Sequence, residues 1–186
     1  QVAHLHGPTE ESAGSRCLGV ACPGSARHAG RSGSRRTERS GHSDGRYSVD
    51  LRSLIIRGGG ADNPFSDRGG GLRIEEGAHV DVLDSLIGDN EAVLGGGAYV
   101  FGPFARLFLS AGTILGSVGT PSLSPNRAVD LFPASAQGGG IWCGGGGSVY
   151  IENARIGANT SEGDGGGLYA DRCGVSIRPT SGFVGN

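Results

Sequence analysis

Four side chains suited to gripping a sugar ring recur at one place in the sequence. Arg73, Tyr99, Trp142 and Tyr169 each stand four residues after the first glycine of a Gly-Gly-Gly run, between two apolar neighbours. Alternate side chains of an extended strand face opposite ways, so the apolar neighbours point to a core and these four point outward. Stacked one strand apart, three rings and a guanidinium would form an exposed strip that fits the apolar faces of glycans. The same column serves as a scaffold ladder if the rings instead stack on one another. Both readings stand at this stage.

Catalysis needs groups that converge, and here the sequence offers little. Asp81, Asp84, Asp89 and Glu91 form the densest acidic run, and Asp164 and Asp171 flank another turn. Turn-forming Asp on a solvated surface accounts for them. Calcium binding through the run DVLDSLIGDNE lacks EF-hand spacing, and no calcium-binding nonapeptide recurs, so no cofactor and no metal site are assigned. His79 is the one histidine beyond residue 46, and His4, His6, His28 and His42 match no zinc pattern. Cys17 and Cys22 make a C-x4-C pair without a second pair. There is no Gly-x-Ser-x-Gly, and a chain without Lys has no P-loop. No catalytic residue is assigned.

Composition narrows the class of protein. Glycine accounts for 38 of 186 residues, far above the usual level of roughly 7%, yet it falls in clusters and not at every third position, which excludes collagen. A formal net charge of -2 gives no field to attract nucleic acid. No run approaches the roughly 18 apolar residues of a membrane span. Four Cys are too few for a disulfide scaffold. The chain begins at Gln1 and ends at Asn186 in mid-repeat, and reads as a fragment.

Residues 1–46 hold seven Arg against four acids and show neither strand nor helix period, so this segment is expected to be disordered, and its composition fits GC-rich DNA read out of frame. From Tyr47 the texture changes to short apolar alternations between glycine clusters. The triplets starting at Gly69, Gly95, Gly138 and Gly165 lie 26, 43 and 27 residues apart. Each leads into a short strand, and a second strand follows with apolar pairs Val80 and Val82, Leu107 and Leu109, Val149 and Ile151, Val175 and Ile177. A third segment ends in Ile87-x-x-Asn90, Ile156-x-x-Asn159 and Phe183-x-x-Asn186, with each Asn 21 residues after its first Gly. Three strands in about 26 residues fit one coil of a parallel β-helix, with glycines where the chain turns or coils approach closely. Asn90, Asn159 and Asn186 would tie another turn through their side-chain amides.

The blocks GGGL, GGGA, GGGI and GGGL, together with the apolar-x-x-Asn steps, resemble the GGAI and FxxN repeats of polymorphic outer membrane proteins. FVGN at Phe183 to Asn186 matches the second motif literally. Gly replaces Ala at the third position throughout and Ile stands for Phe in two steps, so the wider class of bacterial pectate-lyase-like β-helix proteins is the safer assignment. The resemblance covers about residues 47–186.

The expected architecture is therefore all-β: a right-handed parallel β-helix of about five coils over residues 47–186, three short strands per coil. The expected function is a non-catalytic secreted or cell-surface module, outer membrane-associated, with a structural or adhesive role. Glycans or host-surface components are the partners that fit. The alternatives are a carbohydrate-binding β-helix or, as an enzyme, a polysaccharide lyase or glycoside hydrolase, which would need carboxylates gathered on one face. Residues 116–137, with three Pro, are expected to leave the solenoid as a loop whose core, 118–134, is dispensable for folding. Cys143 and Cys173 lie five and eight residues after their triplets' first Gly, roughly 10 Å apart along the strand. That exceeds disulfide reach unless a bulge intervenes.

Overall fold

The structure is a computed structural model that describes residues 2–6, 17–21, 47–60, 68–119, 122–130 and 136–186. Every element in it is a strand. β1 (Val2–His6) and β2 (Cys17–Ala21) come first, then β3 (Tyr47–Arg52) and β4 (Ile55–Ile56). The next unit supplies β5 (Leu72–Glu75), β6 (Ala78–Leu83), β7 (Leu86–Ile87) and β8 (Glu91–Ala92). It is followed by β9 (Ala98–Phe101), β10 (Arg106–Ser110), β11 (Ile114–Gly116) and β12 (Arg127–Ala128). The fourth unit holds β13 (Ile141–Gly144), β14 (Ser148–Ile151), β15 (Arg155–Gly157) and β16 (Thr160–Ser161). The last holds β17 (Leu168–Asp171), β18 (Gly174–Ile177) and β19 (Gly182–Val184).

Strands pair with their counterparts in the next unit, always in parallel. Four sheets result, in the orders β17-β13-β9-β5-β1-β2, β18-β14-β10-β6-β3, β19-β15-β11-β7-β4 and β16-β12-β8. The fourth sheet adds two-residue strands directly after Asn90, Asn126 and Asn159, which the sequence pattern, read as three strands per unit, does not contain. Two residues are too few to show alternation, so no periodicity betrays it.

The apolar pairs of the second strands align in register: Val49, Val80, Leu107, Val149 and Val175 form one column, and Leu51, Val82, Leu109, Ile151 and Ile177 the next. With Leu72, Ile74, Val100, Ile141, Ile87, Leu115 and Ile156, the column members from Val49 to Val149 and from Leu51 to Ile151 form one core between the sheets, while Val175 and Ile177 are exposed. Side-chain burial of this kind contributes roughly 1.5–3 kcal/mol per large residue, and it is what fixes the register.

The glycine triplets lie where units approach most closely. The first glycine of each has φ of +68° or +69°, and a Cβ on the second glycine of the first three would stand 2.5–2.7 Å from the carbonyl oxygen of the matching glycine one unit on. Side chains are therefore shut out by backbone, not merely disfavoured.

Two expectations are corrected. Within 1–46, read as disordered, Val2–His6 pairs with β5 and Cys17–Ala21 pairs with Val2–His6. An open sheet edge accepts any chain with spare backbone donors and acceptors, whatever its side-chain period. The rest of that segment lies outside the described residues. The second correction concerns residues 116–137, where β12 pairs with both β8 and β16. The chain just before this strand packs back: Leu123 is buried and Ser124 O accepts a bond from Asp89 N.

Candidate functional site

Asn90, Asn159 and Asn186 belong to a ladder that runs through the stack. Asn90 Nδ2 donates to Asn126 Oδ1 at 2.8 Å, Asn126 Nδ2 to Asn159 Oδ1 at 2.9 Å, and Asn159 Nδ2 to Asn186 Oδ1 at 3.0 Å. Each amide also donates to a carbonyl of the preceding unit: Ile56, Ile87, Leu115 and Ile156 in turn. Gly59 N closes the near end on Asn90 Oδ1 at 3.1 Å. Asn90, Asn126 and Asn159 are buried, so these bonds replace water that has no access. Both Nδ2 hydrogens of Asn90, Asn126 and Asn159 are used in bonds that join units.

Asn126 is the member that sequence reasoning missed, because it sits 31 residues after its triplet and not 21. A signal was present. Leu123-x-x-Asn126 repeats the apolar-x-x-Asn step, and Asn126-Arg127-Ala128 echoes Asn90-Glu91-Ala92.

Arg73, Tyr99, Trp142 and Tyr169 stand in register on the first sheet. They do not make an open strip. Tyr99 is 1% and Trp142 8% exposed. Tyr99 and Trp142 stack at 4.8 Å between centroids with planes 11° apart, and Phe101 joins both at 6.0 and 6.2 Å. Arg68 lies over the Tyr99 ring at 5.5 Å, and Trp142 Nε1 donates to Gln137 Oε1 at 3.1 Å. Burial pushes the Tyr99 phenol above its usual range, against the pull of Arg68. Arg73 pairs with Glu75 at 2.9 Å in a largely buried ion pair. Alternation gave the direction of these side chains correctly but not their cover. Phe101 two residues on and Arg68 on the approach to the triplet close over the rings.

Accessible aromatics are found on the outer face of the second sheet instead. One column there reads Asp50, Asp81, Phe108, Tyr150 and Ser176. Phe108 and Tyr150 are half-buried, 6.4 Å apart and tilted by 41°, and the exposed Arg106 lies 5.4 Å over the Tyr150 ring. Beside them Asp50 aligns with Asp81, giving this face a second carboxylate that the repeat pattern, starting at the first triplet, left out. Burial, and then the charge of Asp50, raise the Asp81 carboxyl above its ordinary range.

Of the remaining candidates, Glu91, His79 and Asp171 lie in strands, and Asp84 and Asp89 lie at bends. Asp84 and Asp89 hold left-handed backbone, with φ of 46° and 58°. Ser53 Oγ donates to Asp84 Oδ2 at 3.3 Å beside a groove of roughly 330 Å³ at the corner between the second and third sheets. Among the described residues no three or more of the His, Cys, Asp and Glu side chains converge where they could hold a metal ion. None of the described elements is a helix long and apolar enough to cross a membrane.

Cys143 and Cys173 form a disulfide with Cα atoms 5.8 Å apart, correcting the estimate of roughly 10 Å. That estimate followed the strand, but the chain turns first. Arg172, at φ 51°, ends β17, and Gly174 already pairs with Ser148 on the second sheet. Cys173 therefore occupies the corner where the preceding unit has Gly147, and a Cβ built on Gly147 would lie 3.4 Å from Cys143 Sγ. The disulfide reaches across the corner and not along the strand.

No protein-family model, curated protein or solved structure matches this chain.

Proposed function

We propose that residues 47–186 are a segment of a right-handed parallel β-helix, pectate-lyase-like in architecture, acting as a non-catalytic structural or adhesive module outside the cell. Parallel pairing of each strand with its counterpart one unit on supports the solenoid reading, and crossover connections between parallel strands are almost always right-handed. The observation that carries the functional reading is where the chemistry-bearing residues go. The buried Asn ladder and the stacked Tyr99–Trp142 pair place the repeated polar and aromatic side chains in contacts between units. A disulfide between units suits an oxidising, extracytoplasmic compartment, and so supports secretion or display at a cell surface. The likeness to polymorphic outer membrane protein repeats rests on the glycine and Asn motifs alone.

Protease treatment of intact cells expressing the full gene tests this reading. Loss of an epitope within 47–186 while a cytoplasmic marker survives is expected. Full retention of the epitope until the cells are lysed contradicts it.

Glycan binding is the second reading, and the outer face of the second sheet favours it. Phe108 and Tyr150 offer ring faces at the surface, with Arg106, Asp50 and Asp81 beside them for hydroxyl groups. A glycan array screened with the wild type and with Tyr150→Ala decides it. Signals that vanish in the variant support this face, and no signal with the wild type removes the reading.

A further inference from the structure

Phe101-Gly102-Pro103-Phe104 makes an apolar knob at the corner between the first and second sheets. Three residues separate Glu75 from His79 in the unit before and Gly144 from Ser148 in the unit after, but four separate Phe101 from Arg106 at the matching positions. The longer corner holds Phe104 in left-handed backbone, with φ of 67°, which a bulky side chain disfavours. Among the described residues it is the one aromatic side chain held so. Phe104 is 59% and Phe101 39% exposed. The base of the knob is nonetheless fixed, because Phe101 stacks on Tyr99 and lies where a Cβ on Gly145 would stand 2.5 Å from its ring. A strained residue that shows an apolar ring to solvent points to a contact site.

The opposite edge of the second sheet carries the groove of roughly 330 Å³, lined by Leu54, Ile55 and Leu86 with Ser53 and Asp84 among its polar groups. An apolar cavity of about 150 Å³ already holds a benzene ring, so this groove admits the ring of Phe104. Exposed charges complement one another: Arg106 and Glu76 flank the knob, and Asp84 and Arg52 flank the groove.

We propose that the chain binds a second copy of itself, the Phe104 knob of one copy seated in the Leu54–Leu86 groove of the next. Knob and groove occupy different corners, so the contact is heterologous and leaves a free groove on one copy and a free knob on the other. Repeating it lays stacks side by side in a row. The inference goes beyond the structural reading, since it names the module's partner and holds wherever the module is displayed. One ring in one groove buries less than a standard interface, so the association is weak, with half the chains paired on the order of 0.1 mM.

Sedimentation equilibrium of the whole chain tests the contact. The weight-average mass is expected to rise between about 10 μM and about 1 mM. Phe104→Gly removes the ring but suits the left-handed backbone, so association should weaken about tenfold or more while the Tm holds or rises. Ile55→Glu puts a charge in the groove and should weaken association as much. Mixing the two variants restores one intact groove and one intact knob, and should give a one-to-one pair and nothing larger. A wild-type chain that stays monomeric to about 1 mM overturns the proposal. So does association that survives Phe104→Gly, or a mixture of the two variants that stays monomeric.

Discussion

At the scale of single residues, two side chains test how polar groups are accommodated in this stack. Asn126 donates to Asn159 and to Ile87 and accepts from Asn90. Asn126→Ala strands those buried partners, each costing about 1–3 kcal/mol, so a loss of roughly 3 kcal/mol or more is expected by urea denaturation. A loss below about 0.5 kcal/mol would show that the ladder is incidental. Asp81 works in the opposite direction. Its carboxyl is raised in the folded state, so above the unfolded value of about pH 4 the native protein holds the extra proton and stability falls as pH rises through the folded value. Asp81→Asn should raise the Tm near neutral pH, with the gain shrinking as pH falls through the raised folded value and largely gone below about 4. A gain independent of pH would place its cause elsewhere. The Asn steps were legible at residue scale because their spacing from the triplets is fixed at 21. Asn126 was hidden only by the longer excursion before it. The exposure of Tyr99 and Trp142 was not legible, since alternation says which way a ring points and nothing about which residues cover it.

At the scale of elements, the glycine triplets and the long insertion carry the predictions. A Cβ on Gly97 would sit 2.6 Å from Gly140 O and 3.0 Å from Asn126 Nδ2. Gly97→Ala must therefore separate two units or break the ladder, and a fall of about 2 kcal/mol or more is expected, within the range for overpacked cores. The motif resemblance, which places Ala at this third position, implies tolerance instead, so calorimetry of this variant distinguishes the chain from that pattern. Deleting residues 118–134 removes Asn126 and the strand that bridges β8 and β16, and should lower the Tm sharply. An unchanged Tm would restore the view of this stretch as a dispensable loop. Three Pro argued for that view, and Pro does forbid a ladder donor at its own position. It says nothing of the residue that follows, and Asn126 comes directly after Pro125. Four triplets and four second strands were readable because they repeat. β8, β12, β16 and the corner disulfide were not, because they are two-residue pairings and a turn whose geometry depends on Arg172.

At the scale of the whole molecule, each unit buries its apolar pairs against its neighbours, so stability is shared along one dimension. Long-range parallel pairing of this kind also predicts slow folding, because loops of roughly 27–36 residues must close before any sheet contact forms. Stacking of successive units in register as one column is tested most directly by pulsed dipolar spectroscopy. Spin labels at Asp50 and Ser176, four strands apart in one column of the second sheet, should give a narrow distance distribution. Its backbone component should be about 19 Å, and moving the first label to Asp81 should shorten the distance by about 4.8 Å. A broad distribution, or no shortening between the two pairs, would contradict the stacked arrangement.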